Sequence, residues 1–139
     1  MKTVERPNSD IVTGGNGVKE LADLPVGDSD LAYAIARNVS FTEAARKHIG
    51  EAEKMLIKSF CHLDSIGQVQ SDEKGPRWLT PSSFVLFAEK REELLNKLSK
   101  IKIYEMKMAE LRKIKGIKPR DIVSVHWMTD EPFDEDLNG

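Results

Sequence analysis

The side chains best suited to chemistry in this chain are His48, His62, His126, Cys61 and the adjacent Glu92-Glu93. A nucleophilic thiol needs a base beside it. His48 stands 13 residues before Cys61, about 20 Å away if one straight helix carries both. His62, next to Cys61, points to a different side of such a helix. No His/Cys/Asp/Glu set has a metal-ligand spacing such as H-E-x-x-H. Two glutamates side by side on a solvated helix face are badly placed for acid–base work. The stretch Gly14-Gly15-Asn16-Gly17-Val18-Lys19 lacks the Gly-x4-Gly-Lys-Ser/Thr pattern of a phosphate loop. The expectation is a non-enzyme with no catalytic residue, no cofactor and no metal.

Binding is the alternative, and the charge plan favours it. The 139 residues carry a net charge of −2, which hides a segregation. Residues 81–120 hold eleven basic and five acidic side chains, whereas 121–139 hold six acids and no Lys or Arg. Lys100, Lys102, Lys107, Arg112, Lys113 and Lys115 could contact nucleic-acid phosphates, with affinity falling as salt rises. They could equally be the solvated face of a long helix. At the end of the chain, Phe133 with Asp134, Glu135 and Asp136 reads as an aromatic anchor in an acidic frame, suited to docking on a partner. A solubilising tail reads the same way.

These groups must be positioned by few elements. A chain of this length makes one domain. One cysteine leaves no internal disulfide. With no apolar run near the ~20 residues of a membrane span and no signal-peptide core in MKTVERPNSD, the expected setting is the cytoplasm, without membrane contact.

Residues 1–27 read as a flexible arm, because Thr13-Gly14-Gly15-Asn16-Gly17 clusters turn residues. Asp28 or Ser29 can cap a short helix, Asp30 to Arg37, which Asn38-Val39-Ser40 interrupts. Ser40 with Glu43 forms a capping box for a second helix to about Ile66, with Phe41, Ala45, Ile49, Ala52, Leu56, Phe60 and Leu63 on one face. Thr80-Pro81 opens the longest helix, whose stripe Phe84, Phe87, Leu94, Leu98, Ile101, Tyr104, Met108, Leu111 runs to Gly116. Lys100-Ile101-Lys102-Ile103 also alternates like a strand, but the helical stripe passes straight through it. Val123, Val125 and Trp127 alternate as a short strand over 121–128.

The expected fold is therefore all-α: the arm over 1–27, then a helical-hairpin oligomerisation domain over 28–116, in which a short helix precedes the long antiparallel hairpin. A C-terminal strand and an acidic tail disordered when free follow over 117–139. Two helices bury one stripe each, and Leu86, Leu95, Ile103, Met106 and Ile114 lie off the main one. Exposing several such side chains would forgo several kcal/mol, at ~25 cal/mol per Å2. Self-association is the simplest resolution, through Leu94, Leu95, Leu98, Ile101, Ile103, Met106 and Met108. The alternative is that the short helix and the strand cover this surface.

This layout resembles the small terminase subunits of large tailed phages. Asp30-Leu31-Ala32-Tyr33-Ala34-Ile35-Ala36-Arg37-Asn38 is similar to that family's acidic-aromatic-basic-Asn segment. So is the proline-started helix with Phe87 and Leu94-Leu95 ahead of a lysine-rich stretch; the likeness covers residues 28–115. The resemblance implies a ring-forming, non-enzymatic adaptor, acting in the host cytoplasm, that recognises double-stranded viral DNA and docks on a large ATPase subunit. Two readings compete with it. One is a monomeric nucleic-acid-binding protein regulated by its acidic tail. The other is a helical subunit of a cellular complex.

Overall fold

Three glycines that read as helix breakers lie inside a helix. Residues 1–27 form a strand, β1 (Lys2–Pro7), and a helix, α1 (Asn8–Leu21), not a flexible arm. Each mid-helix glycine costs roughly 1 kcal/mol relative to Ala, so tertiary contact must outweigh local propensity. It does so by close approach. A Cβ at Gly14 would sit 2.7 Å from Met128 Cε and from Trp127 Cζ2, and one at Gly17 2.8 Å from Val125 Cγ1. At Gly15 it would meet Arg46 Nε at 2.6 Å. The buried set Asn8, Ile11, Gly14, Gly15, Gly17, Val18, Leu21 follows helical spacing.

The computed structural model describes residues 1–132, so Phe133, Asp134, Glu135 and Asp136 lie outside the described residues. After α1 come α2 (Ser29–Lys58), two-residue strands β2 (Ser71–Asp72) and β3 (Gly75–Pro76), and α3 (Ser83–Asn96). Then follow β4 (Leu98–Ile103), α4 (Met108–Leu111), α5 (Pro119–Val125) and a 3-10 turn, His126–Met128. The fold is mixed, 55% helical and 17% strand with two small antiparallel sheets, which overturns the all-α hairpin. By its internal contacts the chain divides into two units. One comprises Met1–Arg46 and the described residues from Leu98 on; the other is Lys47–Lys97.

The expected 35-residue helix breaks at Lys97, whose extended backbone ends α3. Beyond it, β4 pairs antiparallel with β1, from Lys2 opposite Ile103 to Pro7 opposite Leu98. Here Ile101 and Ile103 turn inward and Lys100 and Lys102 outward, the period of two that the local alternation carried. The partner strand lies at the other end of the chain, beyond the view of any local window.

Asn38-Val39-Ser40 does not interrupt a helix either; α2 runs through it. The Asn38 side chain, wholly buried, accepts from Tyr104 N at 2.7 Å and donates to Tyr104 O at 2.8 Å, completing the backbone pairing just past β4. Arg37 lies over the rings of Phe41 (5.0 Å) and Tyr104 (5.5 Å) at the same junction. Asp28 caps α2 as its position predicts, accepting from Leu31 N at 2.9 Å. The helix ends at Lys58, well short of Gly67.

The expected C-terminal strand is helical instead. Pro119 starts α5, and the Asp121 carboxylate accepts from Lys118 N at 3.3 Å. Downstream, Met106 N donates to Met128 O and Asp130 N to Met106 O, both at 2.9 Å. Asp130 Oδ1 accepts from Met108 N at 2.8 Å, serving the first turn of α4. The core of this unit joins Ile11, Val18 and Leu21 to Leu31, Ile35, Ile101, Ile103, Met106, Met108, Leu111, Val125, Trp127 and Met128.

Two outcomes test the α1–α5 contact. Gly17→Ala should lower stability by about 1–3 kcal/mol in denaturant unfolding, through overpacking. Gly50→Ala in α2, where an added Cβ meets nothing within 4 Å, should not destabilise. The second outcome concerns Glu20. Its hydrogen bond to Asp121 and that residue's charge hold the Glu20 carboxyl above its ordinary 4.5, while Arg120 and Lys118 oppose the shift. A raised folded-state pKa contributes stability that is fully present below pH 4.5 and lost as pH rises through the folded value. Glu20→Gln should flatten that part of the pH–stability profile, read by thermal melts between pH 4 and 8.

Candidate functional site

Four of the seven residues expected at a subunit interface are core. Ile101, Ile103, Met106 and Met108 are buried, with Ile114 beside them in the first unit. The correction has one physical cause: a strand and a short helix replace the rod, so side chains that pointed off a helical stripe point into a sheet-and-helix core. Leu94 and Leu95 are half-buried on α3, and Leu98 is exposed at the start of β4. The six expected phosphate contacts do not lie along one helix. Lys100 and Lys102 stand on the outer face of β4 opposite Glu5 and Thr3; Lys107, Arg112, Lys113 and Lys115 are exposed around α4. Two of them meet acids, Lys113 with Glu110 at 3.0 Å and Arg112 with Glu131 at 3.9 Å.

Apolar surface is found in the second unit instead. Phe60 to Leu79 fold as a meander of short antiparallel pairings: Cys61 opposite Trp78, Leu63 opposite Val69, and β2 with β3. Backbone bonds tie it together, His62 N to Arg77 O at 2.9 Å, Arg77 N to Gln70 O at 2.8 Å and Leu79 N to Phe60 O at 2.9 Å. Asp64 turns the first corner, its Oδ1 accepting from Ile66 N and Gln68 N at 2.9 Å, with Gly67 at a positive φ of 82°. Trp78 fastens the meander to α3, its ring centroid 5.4 Å from Phe84 and 5.6 Å from Phe87. Thr80 and Ser83 lock the turn between them, with Thr80 N donating to Ser83 Oγ at 3.1 Å. The expected start at Pro81 shifts to Ser83.

This unit has little interior. Among its described apolar residues only Ile49 and Cys61 are buried. Met55 (71% exposed), Ile66 (77%) and Phe84 (56%) are exposed, as are Leu63, Leu79, Val85 and Leu86. Phe84-Val85-Leu86 is a run of three exposed large apolar side chains on one helix, which costs solubility. Elsewhere in this unit, Ala52, Met55 and Leu56 of α2, with Ser59 just beyond it, line a cleft of about 410 Å3 together with Lys90, Glu93 and Leu94 of α3 and Lys97 at its end. Arg91 meets Glu53 at 3.5 Å across the same pair of helices. The uninterrupted apolar run from Phe84 to Ala88 was the available signal, and the longer stripe through residue 111 obscured it.

Little in this geometry supports covalent chemistry. Burial pushes the Cys61 thiol up from its ordinary 9.0, so it stays protonated and weakly nucleophilic. His48 is exposed and 3.8 Å from Glu51. Among the described residues no group of three or more His, Cys, Asp or Glu side chains could hold a metal ion, and no helix is long and apolar enough to cross a membrane. Cys61 should accordingly react with a disulfide thiol reagent at least about tenfold more slowly in the native protein than in denaturant, followed spectrophotometrically.

No family model matches the chain, and no curated protein or solved structure matches it.

Proposed function

We propose that this chain is a non-enzymatic assembly adaptor that associates with copies of itself through the exposed apolar surface of α3 and the adjoining meander. The observation that supports this reading is the imbalance within Lys47–Lys97: seven large apolar side chains exposed against two apolar residues buried. An interface core as apolar as this is characteristic of homo-oligomers rather than of transient partners. Phe84 to Ala88 carries no charge, so a second copy can meet it without burying like charges together. Interface area drawn from Phe84, Val85, Leu86 and Leu79 would be stabilised by the apolar surface that it removes from water. The likeness to small terminase subunits adds double-stranded DNA and a large ATPase as expected partners, and the self-association reading needs neither.

Native mass spectrometry and light scattering test it. The wild-type chain should form a defined oligomer at tens of micromolar, and Val85→Asp with Leu86→Asp should shift it to the 15.7 kDa monomer with its circular dichroism retained. A wild-type monomer across that range rejects the reading. A stoichiometric complex with a different protein, obtained only on co-expression, would replace it with a hetero-complex subunit.

A further inference from the structure

Asn16-Gly17 lies within α1, in the first unit. In an unfolded chain this pair is chemically labile. Glycine has no Cβ to shield its backbone nitrogen, and free rotation brings the asparagine Cγ against that nitrogen. The fold withdraws both freedoms. Helical backbone commits the N–H of residue 17 to the carbonyl of residue 13, and helical ψ at residue 16 keeps the nitrogen out of line with Cγ. Arg46 Nη1 donates to Asn16 Oδ1 at 2.6 Å and fixes the side-chain amide. Gly17 is buried, and a Cβ there would collide with Ser124 Oγ and lie 2.8 Å from Val125 Cγ1. The lability is therefore hidden by the same close approach that holds α1 on α5.

We infer that Asn16-Gly17 is a site of spontaneous deamidation that opens only when α1 undocks from α5, and that the reaction prevents α1 from docking again. Local opening frees the backbone at residues 16 and 17. The Gly17 nitrogen, losing its proton to hydroxide, bonds to Asn16 Cγ, and the side-chain nitrogen leaves as ammonia. Water then opens the resulting five-membered succinimide at either carbonyl. Opening at the side-chain carbonyl gives an aspartyl residue. Opening at the main-chain carbonyl routes the backbone through the former side chain, one carbon longer, as an isoaspartyl linkage. That extra carbon falls immediately before Gly17, where Ser124 and Val125 leave no room even for a methyl group. The helical register on which Gly14 and Gly17 reach α5 and the following turn is then lost. The inference uses no residue of α3 and stands apart from the self-assembly reading.

The test ages the full chain at mildly alkaline pH, native and in guanidinium, and follows the tryptic peptide ending at Lys19 by mass spectrometry. That peptide separates Asn16 from the other Asn-Gly pair, Asn138-Gly139. Native protein should deamidate at Asn16 at least about tenfold more slowly than the denatured chain. Val125→Ala leaves Asn16 and Gly17 in place and hollows the surface on which Gly17 packs. It should speed the native reaction by about fivefold or more and leave the rate in guanidinium unchanged. Hydrogen exchange at the Gly17 and Val18 amides should quicken in step. Isoaspartyl chains, isolated and returned to native buffer, should lack the wild-type exchange protection of α1. A native rate equal to the denatured rate overturns the inference, as does a native rate that Val125→Ala leaves unchanged while amide exchange quickens. Isoaspartyl chains that regain full α1 protection overturn the claim that docking is blocked.

Discussion

The close approach of α1 to α5 and the following turn is the constraint on which the first unit depends. Gly14 and Gly17 have no Cβ, and the space a Cβ would take is filled by Trp127, Met128, Ser124 and Val125. That approach brings residues near the two ends of the chain together. It lets β1, immediately before α1, pair with β4, and it closes the core over Ile11, Val18 and Leu21. A helix with three glycines is weak by itself. Here it is held by dispersion contacts that any larger residue at those positions would forfeit.

The second tie is polar. Asn38 satisfies both backbone groups of Tyr104 from within α2, so the end of β4 has its hydrogen bonds met without a third strand. Removing such a partner would leave buried donor and acceptor groups unpaired, which costs about 1–3 kcal/mol each. Sheet, α1 and α2 thus meet at positions where side-chain size or hydrogen-bond inventory leaves little freedom. Ile101, Ile103, Met106 and Met108 are consumed by this arrangement and contribute no surface to a second copy.

The second unit is organised differently. Its meander is held by backbone bonds and by one aromatic cluster, Trp78 with Phe84 and Phe87, and it buries few side chains. A short ladder can satisfy its polar groups without an interior, but it cannot shelter Ile66, Leu79, Val85 and Leu86. The hydrophobic free energy that these side chains do not gain in folding is what association can supply. The proposed interaction role rests on that physical imbalance.

Much of the local structure was legible in the residues. The Asp28 cap and the helical face from Ile49 to Leu56 rest on neighbours within a few positions, whereas the two-residue period of β4 yielded to a helical stripe and α5 read as a strand. The uncharged run at the start of α3 was equally visible. Tertiary structure decided the rest. It made α1 a helix through glycine contacts with residues a hundred positions away, carried α2 through Asn38, and chose strand over helix at Leu98–Ile103 by supplying β1 as a partner. Backbone hydrogen bonds in a helix close within four residues and can be read locally. Those of a sheet, and the packing that tolerates a mid-helix glycine, depend on partners that only the folded chain brings near.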